Sequence, residues 1–162
     1  HSTDYQGTET LSQLVGDGFP ILKAGPELTF VLREALYALD LIASDLLPEY
    51  GNRPLYKAME ALMLAEPANW HKHYHGDASE QRWLRHYSLS DRIRYYWPHP
   101  SAVAAVEGLT KALDGKSVPE PLFWQHWPAA EAFAGKPLEI ETILIWRVMQ
   151  TLAAYHAAGQ PA

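Results

Sequence analysis

Apolar residues recur at helical spacing along most of this chain. Leu28, Val31, Leu32, Ala35, Leu36, Leu39, Ile42 and Ala43 fall on one stripe. The stripe predicts a helix from Gly25 and Pro26 to about Leu46, because a proline at the first helical position gives up no hydrogen bond. Pro54 opens another helix (Leu55, Ala58, Met59, Leu62). Pro100 opens one that Gly115 stops (Val103, Val106, Leu109, Leu113), and Pro137 opens one that ends before Gly159 (Leu138, Ile140, Ile143, Leu144, Val148, Leu152). A shorter helix starts at Thr8, carries Leu11, Leu14 and Val15, and meets a stop at Gly16. The run "FPILKAG" at 19–25 is apolar, bounded by glycines and too short for a buried helix, which predicts a buried strand with Lys23 near its exit. "HKHYHGDAS" and "SVPEPLFWQHWP" read as linkers.

Helix, strand and helix in the first 47 residues suggest a βα alternation, whereas everything beyond Gly51 is helical. A single strand has no partner for its backbone groups, so the chain is expected to begin in the middle of a βα unit. No internal repeat is evident.

The 162 residues, 48% hydrophobic and 20% charged, suit one globular domain. A formal net charge of −6 argues against nucleic acid or an anionic membrane as partner. The absence of cysteine removes disulfides, thiolate metal sites and cysteine nucleophiles. No apolar run approaches 20 residues, so a cytoplasmic protein is expected.

Four stretches carry candidate chemistry. At the junction Lys23–Ala24–Gly25–Pro26–Glu27–Leu28–Thr29, a helix N-terminus, a glycine and a lysine together suit a phosphate or carboxylate. An ordinary capped junction reads the same way. Glu27 supports the capped reading, and Arg33, one turn after Thr29, can offset its charge. His71, His73 and His75 alternate in a polar linker, a pattern more typical of surface than of zinc. In "HYSLSDRIRYYWPHP", Ser88 or Ser90 can cap a short helix that Pro98 ends, and Arg92 and Arg94 can either hold anions or pair with Asp91 or Glu80. His1 and Asp4 are the last pair. No Ser/His/Asp order, GxGxxG, Walker loop or HExxH is present.

The stretches "HSTDYQ", "FPILKAGPELTFVLREALYALD" and "YSLSDRIRYYWPHP", in this order and spacing, resemble the Z, or non-catalytic, subunit family of class II D-tagatose-1,6-bisphosphate aldolase. This is a family of galactitol and N-acetylgalactosamine catabolism. The resemblance runs along the whole chain and is weakest after Ser117. It implies an α/β fold, the last quarter of a TIM (β/α)8 barrel. Strand 7 would end at His1, helix 7 would lie at 8–15, strand 8 at 19–24 and helix 8 at 27–46, with a mainly α-helical C-terminal extension beyond. The implied domains are 1–47 and 48–162. In that frame the active site lies at the barrel mouth. His1 matches a ligand of a Zn-like divalent metal whose other ligands lie outside this chain. Asp4 and Lys23 take catalytic roles, and Gly25, Thr29, Arg33 and Arg92 bind substrate or phosphate.

The function so implied is an accessory subunit that supports the activity and stability of the catalytic tagatose-bisphosphate aldolase subunit. Its partners would be that subunit, the upstream barrel portion of the same protein and a sugar phosphate. The alternative is a metal-dependent ketohexose or ketose-phosphate epimerase or aldolase, in which the ion polarises a carbonyl and stabilises an enediolate. A helical fragment without activity of its own is the third option. The 162 residues by themselves are expected to show no aldol cleavage.

Overall fold

A computed structural model describes residues 3–160. It contains α1 (Thr8–Gly16), α2 (Pro26–Leu46), α3 (Pro54–Ala65), α4 (Ala78–Tyr87), α5 (Pro100–Leu113), α6 (Glu120–His126) and α7 (Ile140–Ala158), with short 3₁₀ turns at Pro67–Asn69, Arg92–Tyr95 and Pro128–Phe133. The axis of the fold is α2. Ala35, Leu36, Leu39, Ile42 and Ala43 are buried, as are Tyr37, Ala38 and Asp40 on its other faces, so neighbours surround the middle of this helix. Those neighbours are α3, α5, α6 and α7, while α1 packs on α7. Leu39, Ile42, Leu55, Met59, Leu109, Phe123 and Ile143 form the centre of the core. Burying one such side chain contributes about 1.5–3 kcal/mol.

The α/β expectation is overturned. Among the described residues there is no strand and no sheet; the single β contact is an isolated antiparallel bridge between Ser117 and Pro137. The domain is all-helical and is not the last quarter of a TIM barrel. The predicted strand at 19–24 is irregular chain between α1 and α2, with Phe19 56% and Ile21 81% exposed. A short apolar run becomes a strand only when a neighbouring backbone completes its ladder, and among the described residues none does. The end of the predicted strand 7, at His1, lies outside the described residues.

The helices were legible where proline opens them: Pro26 and Pro54 and Pro100 each stand at the first position of their helix. The predicted Pro137 start is displaced, because Pro137 lies in the bridge to Ser117 and the helix begins at Ile140, whose N–H donates to Asp114 Oδ1 at 3.2 Å. The second predicted linker contains a helix, α6, and the first runs into the start of α4 at Ala78. The α4 signal was present: Asp77 accepts from the N–H groups of Ser79 and Glu80, and Glu80 accepts from the Asp77 N–H, a full capping box.

Candidate functional site

The N-terminus of α2 is held by residues far away in sequence. Asp4 Oδ1 accepts from the N–H groups of Gly25 at 2.8 Å and Glu27 at 3.0 Å, so the donors that a bound phosphate would use are occupied by a carboxylate of the chain itself. A Cβ at position 25 would lie 3.0 Å from Asp4 Oδ2 and press on this cap. Around this cap, Thr3 Oγ1 donates to the Lys23 carbonyl at 2.6 Å and the Tyr5 N–H donates to Glu27 Oε2 at 2.8 Å. Tyr155 from α7 donates to the Thr3 carbonyl at 2.9 Å. Residues 3–5 are thereby tied to both α2 and α7.

One turn further along α2 lies a buried ion pair. Arg33 Nε donates to Asp91 Oδ1 at 3.1 Å, with the two side chains 3% and 0% exposed. Thr29 Oγ1 donates to Asp91 Oδ2 at 2.6 Å, a closer acceptor than the Pro26 carbonyl at 3.0 Å. Asp91 adopts φ 47°, a left-handed conformation that turns its carboxylate back toward α2. Arg33 therefore does not offset Glu27, as its spacing suggested. Its guanidinium carbon also lies 4.1 Å from the centroid of the Phe30 ring, a cation–π distance.

The structure brings Asp4, Gly25, Thr29 and Arg33 together around the first two turns of α2. Lys23 is exposed beside them and joins through its carbonyl. Arg92 turns elsewhere, its Nη1 donating to the Asn69 carbonyl at 2.9 Å. His71, His73 and His75 are exposed. The proposed metal ligand His1 lies outside the described residues, and among the described residues no three His, Asp or Glu side chains are grouped to hold an ion. The described residues by themselves do not fit a metal site.

A cleft of about 780 Å³ opens beside Arg33, between α2, the end of α4 and the C-terminal part of the chain. Its walls are largely aromatic, with Phe30, Tyr37, Tyr87, Trp127 and Trp146, and its cations are Arg33, Arg53 and Arg147. Among the described residues, four buried side-chain donors have no hydrogen-bond partner, and three of them, Arg33 Nη2, Arg53 Nε and Trp127 Nε1, belong to residues lining this cleft. Such a donor costs about 1–3 kcal/mol when nothing accepts from it.

Behind the Tyr37 wall runs a hydrogen-bonded chain. Tyr37 Oη lies 2.6 Å from His86 Nδ1, and His86 Nε2 lies 3.0 Å from Glu60 Oε2, which Arg85 also grips through Nε at 2.9 Å. Burial pushes His86 down from its ordinary 6.5 to about 4, outweighing the pull of Glu60. The imidazole is therefore neutral at pH 7. It donates Nε2–H to Glu60 and accepts a hydrogen bond from the Tyr37 hydroxyl at Nδ1, so the contact with Glu60 is a charge-assisted hydrogen bond and not an ion pair. Burial works against the charge of Glu60, but the Arg85 hydrogen bond and charge outweigh it and lower its carboxyl below the usual range.

Sequence reasoning missed Asp91 as the partner of Arg33, and missed Tyr37, Arg53, Glu60, His86 and Trp127 altogether. No local pattern links them, since Tyr37 and His86 are 49 positions apart and Glu60 and His86 are 26 apart.

Three comparisons with known proteins bear on the chain. A family model described as D-tagatose-1,6-bisphosphate aldolase subunit GatZ/KbaZ-like matches residues 1–160. A protein of Agrobacterium fabrum named D-tagatose 6-phosphate 4-epimerase is 58% identical over 161 residues, which is 98% of this chain and 37% of that protein. A crystal structure from Sinorhizobium meliloti, described as a probable tagatose 6 phosphate kinase, superposes with a TM-score of 0.89 at 51% identity over 98% of this chain and 42% of that one. The chain thus spans about two fifths of the length of these relatives. With its family model matched over nearly every residue, this chain belongs to the GatZ/KbaZ-like family of D-tagatose-1,6-bisphosphate aldolase subunits.

Proposed function

We propose that the chain is the helical part of a ketose-phosphate epimerase acting on tagatose 6-phosphate, within tagatose-phosphate metabolism. The carrying observation is the 58% identity, across 98% of this chain, to a relative named for that activity. Epimerisation at C4 of tagatose 6-phosphate yields fructose 6-phosphate, which defines the product to be measured. In this reading Asp4 is a positioning residue: it holds residues 3–5 on the start of α2 through Gly25 and Glu27. Contact with a substrate oxyanion falls to the exposed Lys23 and not to the N–H groups that Asp4 already uses. Turnover belongs to a protein of the relatives' length.

A second reading, the accessory subunit of an aldolase, is favoured by the description of the family model. One experiment separates the two. The full-length protein is purified alone and supplied with tagatose 6-phosphate, and fructose 6-phosphate is followed by coupling to phosphoglucose isomerase and glucose-6-phosphate dehydrogenase. Turnover by the protein alone, with Lys23→Met raising KM about tenfold or more, supports the epimerase. Absence of turnover, together with stabilisation of a catalytic aldolase subunit on mixing, overturns it in favour of the accessory role.

A further inference from the structure

We propose that the aromatic cleft beside α2 is an oxyanion-binding site that takes a small organic phosphate or carboxylate carrying a ring. The first observation is that three residues with an unused donor line one cleft. Arg33 and Trp127 are 3% and 4% exposed, yet Arg33 Nη2 and Trp127 Nε1 have no acceptor among the described residues, nor does Arg53 Nε, and all three residues line one cleft. Buried donors in proteins are nearly always paired, so three unpaired ones on residues that line one cavity point to an acceptor that small side-chain adjustments on binding would bring within their reach.

The second observation is charge. Arg147 is neutralised by Glu34 at 2.7 Å and Arg33 by Asp91 at 3.1 Å, but Arg53 has no carboxylate partner among the described residues. A chain of net charge −6 thus keeps one uncompensated guanidinium at this cleft. The third is shape. A volume of about 780 Å³ suits a small organic molecule, and Tyr87, Trp127 and Trp146 provide apolar faces for its ring. Guanidinium forks and an indole N–H are donors only, so the group they recognise must accept, as a phosphate or carboxylate does.

Trp127 and Trp146 report on the cleft directly. Their fluorescence is followed while the purified protein is titrated with inorganic phosphate, phenyl phosphate and benzoate, and calorimetry gives the stoichiometry. The expected result is saturable one-to-one binding of phenyl phosphate or benzoate, tighter than inorganic phosphate. Preference between the two decides whether the natural ligand is a phosphate or a carboxylate. Arg33→Met strands Asp91 and risks unfolding, so the test rests on milder changes. Arg53→Met should weaken binding tenfold or more. Trp127→Phe, which removes the indole N–H together with part of the ring and is read by calorimetry, should weaken it severalfold. Trp124→Phe, at an exposed tryptophan outside the cleft, should leave it unchanged. The proposal is overturned if none of the probes saturates by tens of millimolar, or if Arg53→Met and Trp127→Phe bind like the parent.

Discussion

Acidification should destabilise the protein through one histidine. His86 is completely buried at its side chain and is held neutral, its pKa lowered to about 4 by burial although Glu60 lies 3.0 Å away. In the unfolded chain the same imidazole takes up its proton near pH 6.5. Between these values the unfolded state binds more protons than the folded state, so folding stability is fully present above pH 6.5 and is lost as the pH falls toward 4. At about 1.4 kcal/mol per pKa unit, the shift amounts to roughly 3 kcal/mol in all, of which about 2 kcal/mol is lost by pH 5. Urea denaturation followed by circular dichroism at pH 7 and pH 5 measures the loss. His86→Gln supplies the reference: it lacks this group, while the other histidines titrate in both proteins and cancel in the difference. The parent should lose about 2 kcal/mol more than the variant over this interval. Parallel losses in the two proteins, or an NMR titration placing the His86 ring near 6.5, would refute the reasoning.

Three further perturbations test the framework around α2 and α4. Asp91→Ala leaves Arg33 charged and unpaired in the interior and removes the Thr29 acceptor; a loss of about 3–5 kcal/mol is expected in chemical denaturation, and a loss below 1 kcal/mol would show that Arg33 finds another partner. Asp4→Ala frees two N–H groups at the head of α2 and should cost about 1–2 kcal/mol, read as a lower Tm together with faster proteolysis within residues 3–25. Gly76→Ala is predicted to destabilise by about 1–3 kcal/mol, because φ is +106° there and the new Cβ would fall 2.2 Å from Glu80 Oε2, breaking the capping box of α4; an unchanged Tm would contradict this.

What the sequence by itself determined was local. The apolar stripe of α2, the prolines at its start and at those of α3 and α5, and the left-handed Gly115 after α5 are all decided within a few residues, by helical periodicity and by the backbone constraints of proline and glycine. The motifs that carry the family resemblance were legible for the same reason, since they are contiguous. The tertiary structure decided whatever needs a partner from elsewhere. A run such as "FPILKAG" has the composition of a strand, but a strand needs a second backbone to complete its ladder, and among the described residues none pairs with it. Asp4 became the cap of α2, Asp91 the counter-ion of Arg33, and His86 the neutral link between Tyr37 and Glu60. These pairings join residues 21 to 58 positions apart, and hydrogen bonds and buried charges are satisfied by distance in space, which spacing along the chain does not encode.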